Sequence, residues 1–285
     1  MEESDSGPFH MLGKHASASL RGFESHLLRK RRHLNMETSQ EILQEERVDT
    51  KSRLKKLVEI GKPILGQTAL IQERDFTDED IAKVREFFET SKPLMHPNVW
   101  PSYWEHVELA SRYARIFGKK LQDKGVLVNP HELEVLGMIH DIGRIISPHR
   151  FFRTNLVGEA LLKRLGVRED LIGKQVPEMR LFGRDGNIAS ANQLTIEQQV
   201  LMLADNLGRK VEDGSLISFE QIGDLTDKQV KQYSGEVFVS ERFGKRRLVQ
   251  TSKKVIQLLD DIKDTLQAQY GISIDEVRGE VAKVE

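Results

Sequence analysis

Four residues sit where ionisable groups are hard to keep. His106 lies in EHVELASRYARIF, the pair His140-Asp141 in LGMIHDIGRII, and Asp205 in LMLADNL. A carboxylate taken out of water is strongly disfavoured unless something compensates its charge. Two imidazoles and two carboxylates are a good donor set for one divalent ion of the Mn, Fe, Co, Ni or Mg kind. Such a cation would also neutralise both buried carboxylates. Each residue alone has an ordinary role. A lone buried histidine is more often a hydrogen-bonded core residue than a ligand, and a lone aspartate caps a helix or pairs with an arginine. Adjacent His140 and Asp141 in one apolar run are harder to satisfy, because both side chains need partners there.

For these side chains to meet, three helices must carry them. Ser102-x-x-Glu105 reads as a capping box ahead of Val107, Ala110, Ala114, Phe117 and Leu121, and His106 shares a face with Ala110, Tyr113 and Phe117. Asn129-Pro130 supplies an N-cap and a first-turn proline before Leu133, Leu136 and His140. Thr195-x-x-Gln198 is a further capping box, and the Leu201 and Ala204 spacing puts Asp205 at the edge of a buried face. Around them, Thr77-x-x-Asp80 opens a helix through Ile81, Val84 and Phe87, and TNLVGEALLKRLG reads as a helix ending at Gly166. A polar helical pattern from Ser39 is expected to stop at Gly61-Lys62-Pro63. A last helix is expected over 252–270, a small hairpin around Phe243-Gly244-Lys245 within 236–250, and an irregular loop over 180–193.

The helix formers dominate and aromatic residues are only 6% of the 285, so the fold class is all-α. The expected organisation is a mobile charged tail at 1–37, a helical leader at 38–95, a helical core domain at 96–210 and a helical extension at 211–285. Net charge is −1, so bulk charge does not hold nucleic acid. RKRRH at 29–33 and Lys245-Arg246-Arg247 are local exceptions, read first as solvated charge. With no cysteine, disulfides and cysteine-type zinc sites are excluded. The acidic start lacks a secretory h-region and no long apolar run occurs, so the expected setting is cytoplasmic with no membrane partner. Trp100 and Trp104 read as core packing, and His131, at a helix start, as exposed.

The order His106, His140-Asp141, Asp205, with gaps of 34 and 64 residues, resembles the H…HD…D signature of the HD-domain metal-dependent phosphohydrolases. The flanking text fits as well: EHVELASRYA, MIHDIGRI, GEALLKRLG and LMLADNLGR, spanning about 100–210. The resemblance implies that His106, His140, Asp141 and Asp205 are metal ligands. It also implies a water-driven hydrolysis of a phosphate ester, of a nucleotide or another small phosphorylated substrate. Two departures matter. Two-metal members carry a further histidine before the GAE-LL helix, where this chain has Thr154 and Asn155, with His149 five residues earlier; one metal is therefore expected. Members with HD-x-x-E use the glutamate as acid or base, and here that place is Arg144. Asp141 and Arg144 are then the catalytic candidates. Arg150, Arg153 and Arg209 are candidates for holding phosphate, because guanidinium donates two parallel bonds. Arg180 and Arg184 are more distant candidates on a lid. The competing reading is a non-catalytic HD module that binds a nucleotide or, through its charged flanks, a protein partner. A third is a nucleic-acid-linked phosphodiesterase using the basic runs.

Overall fold

The structure is a computed structural model that describes residues 50–95, 100–146, 151–175, 190–211, 213–224 and 245–283. The side chains of 151–156 and 245–252 lie outside that description. The chain divides into two compact units, Met1–Ser52 and Arg53–Glu285. Of the first, only the helical positions 50–52 are described, so the tail and its RKRRH run lie outside the described residues. The second unit is helical; among its described residues the only β feature is an isolated bridge, Lys210 to Leu216. No helix among them is long and apolar enough to cross a membrane.

In chain order the helices of this second unit are α1 (53–65), α2 (Asp78–Ser91), α3 (Trp100–Asp123), α4 (Pro130–Ile139), α5 (Phe151–Leu165), α6 (Glu169–Lys174), α7 (Ile196–Leu207), α8 (Lys245–Tyr270) and α9 (Ile274–Val281). Helix α4 is the centre. Every residue from Leu133 to Ile139 is buried, so this helix has no solvent face. Helix α3 wraps it. Tyr103, Val107, Ala110, Ala114, Phe117 and Leu121 are buried at alternating spacings of four and three. Helix α3 packs along α4 and against α7, which places the three site-bearing helices in mutual contact. The buried charge inside α4, Glu134, is held by Arg115 at 2.7 Å, with Arg85 at 3.7 Å.

The caps read from sequence are mostly where expected. Asn129 Oδ1 accepts from the amides of His131 and Glu132, and Pro130 fills the first helical position. Thr195 and Gln198 form a reciprocal box at α7, as do Thr77 and Asp80 at α2. Helix α5 ends at Leu165, and Gly166 takes φ +87°.

Five expectations fail. Helix α1 runs through Gly61-Lys62-Pro63 to 65. Pro63 is exposed and so is Glu59, whose carbonyl loses its donor there; water can replace it. Gly61 is buried against Phe87 and Leu165, where a Cβ would stand 2.5 Å from Leu165 Cδ2. Ser102 is no cap, since α3 already begins at Trp100. Helix α8 starts at Lys245, seven residues before the expected 252, and so replaces the second half of the expected hairpin; 236–244 lie outside the described residues. His131 is half-buried, 3.3 Å from Asp78. Lastly, the HD pair does not lie inside a helix. Helix α4 stops at Ile139, His140 caps it, and a 3-10 turn follows over Ile142–Ile145.

Candidate metal centre

The break after Ile139 is what makes the site. An α-helix leaves its last four carbonyls without regular donors. In α4 one of these is Gly137 O, and the His140 ring folds back so that Nδ1 donates to it at 2.6 Å. Across the site α7 ends in the same way. Gly208 caps it, and Gly208 O accepts from His106 Nδ1 at 2.8 Å. A carbonyl can only accept, so both rings carry a proton on Nδ1. In the neutral form each Nε2 is then a bare lone pair, the form in which histidine binds metal.

Both Nε2 atoms point at one place. They lie 3.1 Å apart, and Asp205 Oδ1 is 3.1 Å from the first and 3.3 Å from the second. Asp141 Oδ2 is 3.6 Å from each. One donor atom from each of the four residues falls within a 4.8 Å cluster. All four side chains are largely enclosed, at 11–21% exposure. Four acceptors converging in a partly closed space repel one another unless a positive charge joins them. The negative ends of α4 and α7 also point here, and Asp205 sits in the last turn of α7, where a carboxylate is disfavoured.

Without metal, a proton must do that work. Burial disfavours a charged His106, but the carboxylates of Asp141 and Asp205 beside it outweigh this and raise the ring from 6.5 to about 9. Burial also disfavours ionised Asp205, yet bonds from His106 and His140 hold it well below the usual carboxylate range. For Asp141, Arg144 and then His140 overcome burial in the same direction. Asp141 Oδ2 nonetheless makes no well-aligned hydrogen bond: Arg144 Nε stands 2.7 Å away, near enough to act as a charge but out of line as a donor. A buried oxygen with charge beside it and no aligned donor is what a metal ligand looks like before its metal. The donor set therefore fits a divalent ion.

Of the sequence candidates, His106, His140, Asp141 and Asp205 are brought together, and Arg144 stands beside them with its side chain 34% exposed. Arg209 directly follows the Gly208 cap and is half-buried. Arg150, His149, Arg180 and Arg184 lie outside the described residues, as do the side chains of Arg153, Thr154 and Asn155. Trp100 and Trp104 stack at 5.5 Å and pack with Phe88 and Tyr103, as core residues. Sequence reasoning missed the two glycine carbonyls and Tyr103, whose hydroxyl donates to the Asp141 carbonyl at 3.3 Å. The only signals were a glycine inside an apolar helix and another at a helix end.

Residues 103–210 match the family model of the HD domain, a family whose members are mostly metal-dependent hydrolases. The stretch contains all four clustered residues. No curated protein and no solved structure matches the chain.

Proposed function

We propose that His106, His140, Asp141 and Asp205 hold one divalent ion, of the Mn, Fe, Co, Ni or Mg kind, and that the protein hydrolyses a phosphate ester of a nucleotide or another small phosphorylated compound. The observation that carries this is the convergence of two bare Nε2 atoms and two carboxylates within 4.8 Å. A divalent ion supplies Lewis acidity and lowers the pKa of water towards neutrality. The chain's own residues do the rest. His106 and His140 keep their Nε2 atoms inward because Gly208 O and Gly137 O hold the other nitrogen. Asp205, the more open carboxylate, has a second oxygen to accept a hydrogen bond from the attacking water. Arg144, at the rim of the cluster, turns its guanidinium to the phosphoryl oxygens, where charge develops. Arg150, Arg153 and Arg209 complete the phosphate contacts in this proposal.

The contact between Arg144 and Asp141 also favours a second reading. A site whose nearest cation already sits against a ligand carboxylate suits a binding module that holds a nucleotide or a protein partner without turnover. One experiment separates the two. Metal is measured by plasma mass spectrometry on protein purified without chelator, beside Asp141→Ala, and both are then screened against phosphate esters. One metal per chain, lost in the variant, with turnover lost alongside it, supports the enzyme. Metal bound without turnover of any ester supports the module. Absence of metal even after titration with Mn²⁺ overturns the enzyme and leaves the binding module.

A further inference from the structure

We infer that Gly137 and Gly208 are positioning residues that select Nε2 as the inward nitrogen of both histidines, braced against one shared support, the backbone of α3 at Ala110. The inference rests on the metal-site reading above and extends it to residues outside the ligand set.

Each glycine supplies the carbonyl that takes one ring's Nδ1 proton: Gly137 for His140 and Gly208 for His106. Each also lies where a side chain has no room. A Cβ on Gly137 would stand 2.8 Å from Ser111 Cα and 3.2 Å from both Ala110 O and Ser111 N. A Cβ on Gly208 would stand 2.8 Å from Ala110 N, 3.0 Å from Ala110 Cα and 2.9 Å from Ala204 O. These are backbone atoms, which cannot swing aside as a side-chain end can. Conformation is not the reason for glycine here. Neither residue is among the glycines with positive φ, and Gly208 has φ −70°. What glycine supplies is closeness. The end of α4 comes down on Ala110 O and on the N and Cα of Ser111, and the end of α7 on the N and Cα of Ala110, so both meet the α3 backbone at one residue. One turn of α3 thus sets the height of both carbonyls, and His106 is four residues before Ala110 on the same helix. A methyl group at either position lifts a helix end off α3 and pulls its carbonyl away from the ring. That ring is then free to turn and to place its proton on Nε2, where it blocks the site. Outer partners of this kind typically contribute 10- to 100-fold in metal affinity.

A packing defect alone must be told apart from a positioning defect. Gly118 provides the control. It lies on the same seam between α3 and α4, where a Cβ would stand 2.8 Å from Leu133 Cδ1 and 3.0 Å from Pro130 Cα. Among the described contacts its carbonyl takes no imidazole proton. The full chain and its Gly137→Ala, Gly208→Ala and Gly118→Ala variants are compared by calorimetric titration with Mn²⁺. The proton-bearing ring nitrogens are read by 15N resonance on the metal-free proteins, at a pH where the rings are neutral. The expected result is a 10- to 100-fold loss of Mn²⁺ affinity in Gly137→Ala and Gly208→Ala but not in Gly118→Ala. In the wild-type protein both rings should carry the proton on Nδ1. The Nε2–H form should appear on His140 in Gly137→Ala and on His106 in Gly208→Ala. Equal Mn²⁺ affinity in all three variants, or wild-type rings protonated on Nε2, overturns the inference. Should the wild-type chain bind no Mn²⁺, the metal reading falls and the ring spectra alone decide the role of the glycines. Should a variant fail to fold, the wild-type spectrum still decides it.

Discussion

Free of metal, this fold should depend on pH in one definite direction, and His106 is the group responsible. Burial works against its charged form, but Asp141 and Asp205 more than offset that and raise it from 6.5 to about 9. A gap of about 2.5 pH units at 1.36 kcal/mol each is on the order of 3 kcal/mol. A folded pKa above the unfolded one stabilises the fold fully below 6.5 and loses that contribution as pH rises through about 9. In EDTA, therefore, stability should fall by about 3 kcal/mol as pH is raised across that window, or by roughly 6–12 °C in Tm for a domain of this size. Saturating Mn²⁺ should flatten the profile, because the cation then stands where the proton stood. Binding must release that proton, so Mn²⁺ affinity should rise by up to about tenfold per pH unit below 9. Thermal melts followed by circular dichroism, with EDTA and with Mn²⁺, measure the first effect. Calorimetry in buffers of different ionisation heat counts the protons. In His106→Gln the slope in EDTA should disappear. A flat profile in EDTA, or stability that climbs with pH over this range, would refute the reasoning, since no arrangement that places a buried imidazolium between two carboxylates can give either.

Arg144→Ala should lower kcat on whichever ester is turned over by about 100-fold or more while metal content stays at the wild-type level; plasma mass spectrometry and steady-state rates check both halves. Glu134→Gln removes the buried charge that Arg115 holds, while Arg115 keeps Asp78 and Arg85 keeps Glu108, and should cost about 2 kcal/mol in urea melts, with Mn²⁺ affinity unchanged. Asp80 is fully buried and accepts from Arg74, Ala69 and Thr77, which outweigh its burial and lower its pKa. Its contribution is present above the ordinary carboxylate value and lost as pH falls through the lowered one, so Asp80→Asn should remove part of the acid limb of the stability profile. Asn129→Ala removes the oxygen that caps two amides of α4 and should cost about 1 kcal/mol in the same urea assay.

The elements that were legible in the sequence are those specified by local chemistry. Thr77 with Asp80, Asn129 with Pro130, and Thr195 with Gln198 each satisfy amides within one turn, so their effect does not depend on what packs above them. The signals that misled also have local meanings, but tertiary context overrode them. Pro63 is tolerated at an exposed turn, where Glu59, whose carbonyl it orphans, is also exposed, and Gly61 marks a close approach to Phe87 and Leu165 where a stop was expected. Ser102 had the right partner at the right spacing, yet Trp100 packs on Tyr103 and Trp104 and draws the start of α3 two residues earlier.

The site divides along the same line. Side-chain identity carried the four donors, because two histidines and two aspartates in apolar runs pose a charge problem that any fold must solve. Their orientation was not legible, because it depends on backbone carbonyls, and every residue has one. What singles out Gly137 O and Gly208 O is that each belongs to a helix end that must touch α3. His140 and Asp141 were expected within the helix that Asn129-Pro130 opens, and in one helix they would diverge by about 100° around the axis. Ending α4 at Ile139 turns Asp141 back towards the ring of its neighbour, and both then meet His106 and Asp205. Two helices that stop against a third bring their negative ends, two carboxylates and two oriented imidazoles to one point. A cation is the one species that relieves all of these at once, which is why the helix break and the donor set belong to a single design.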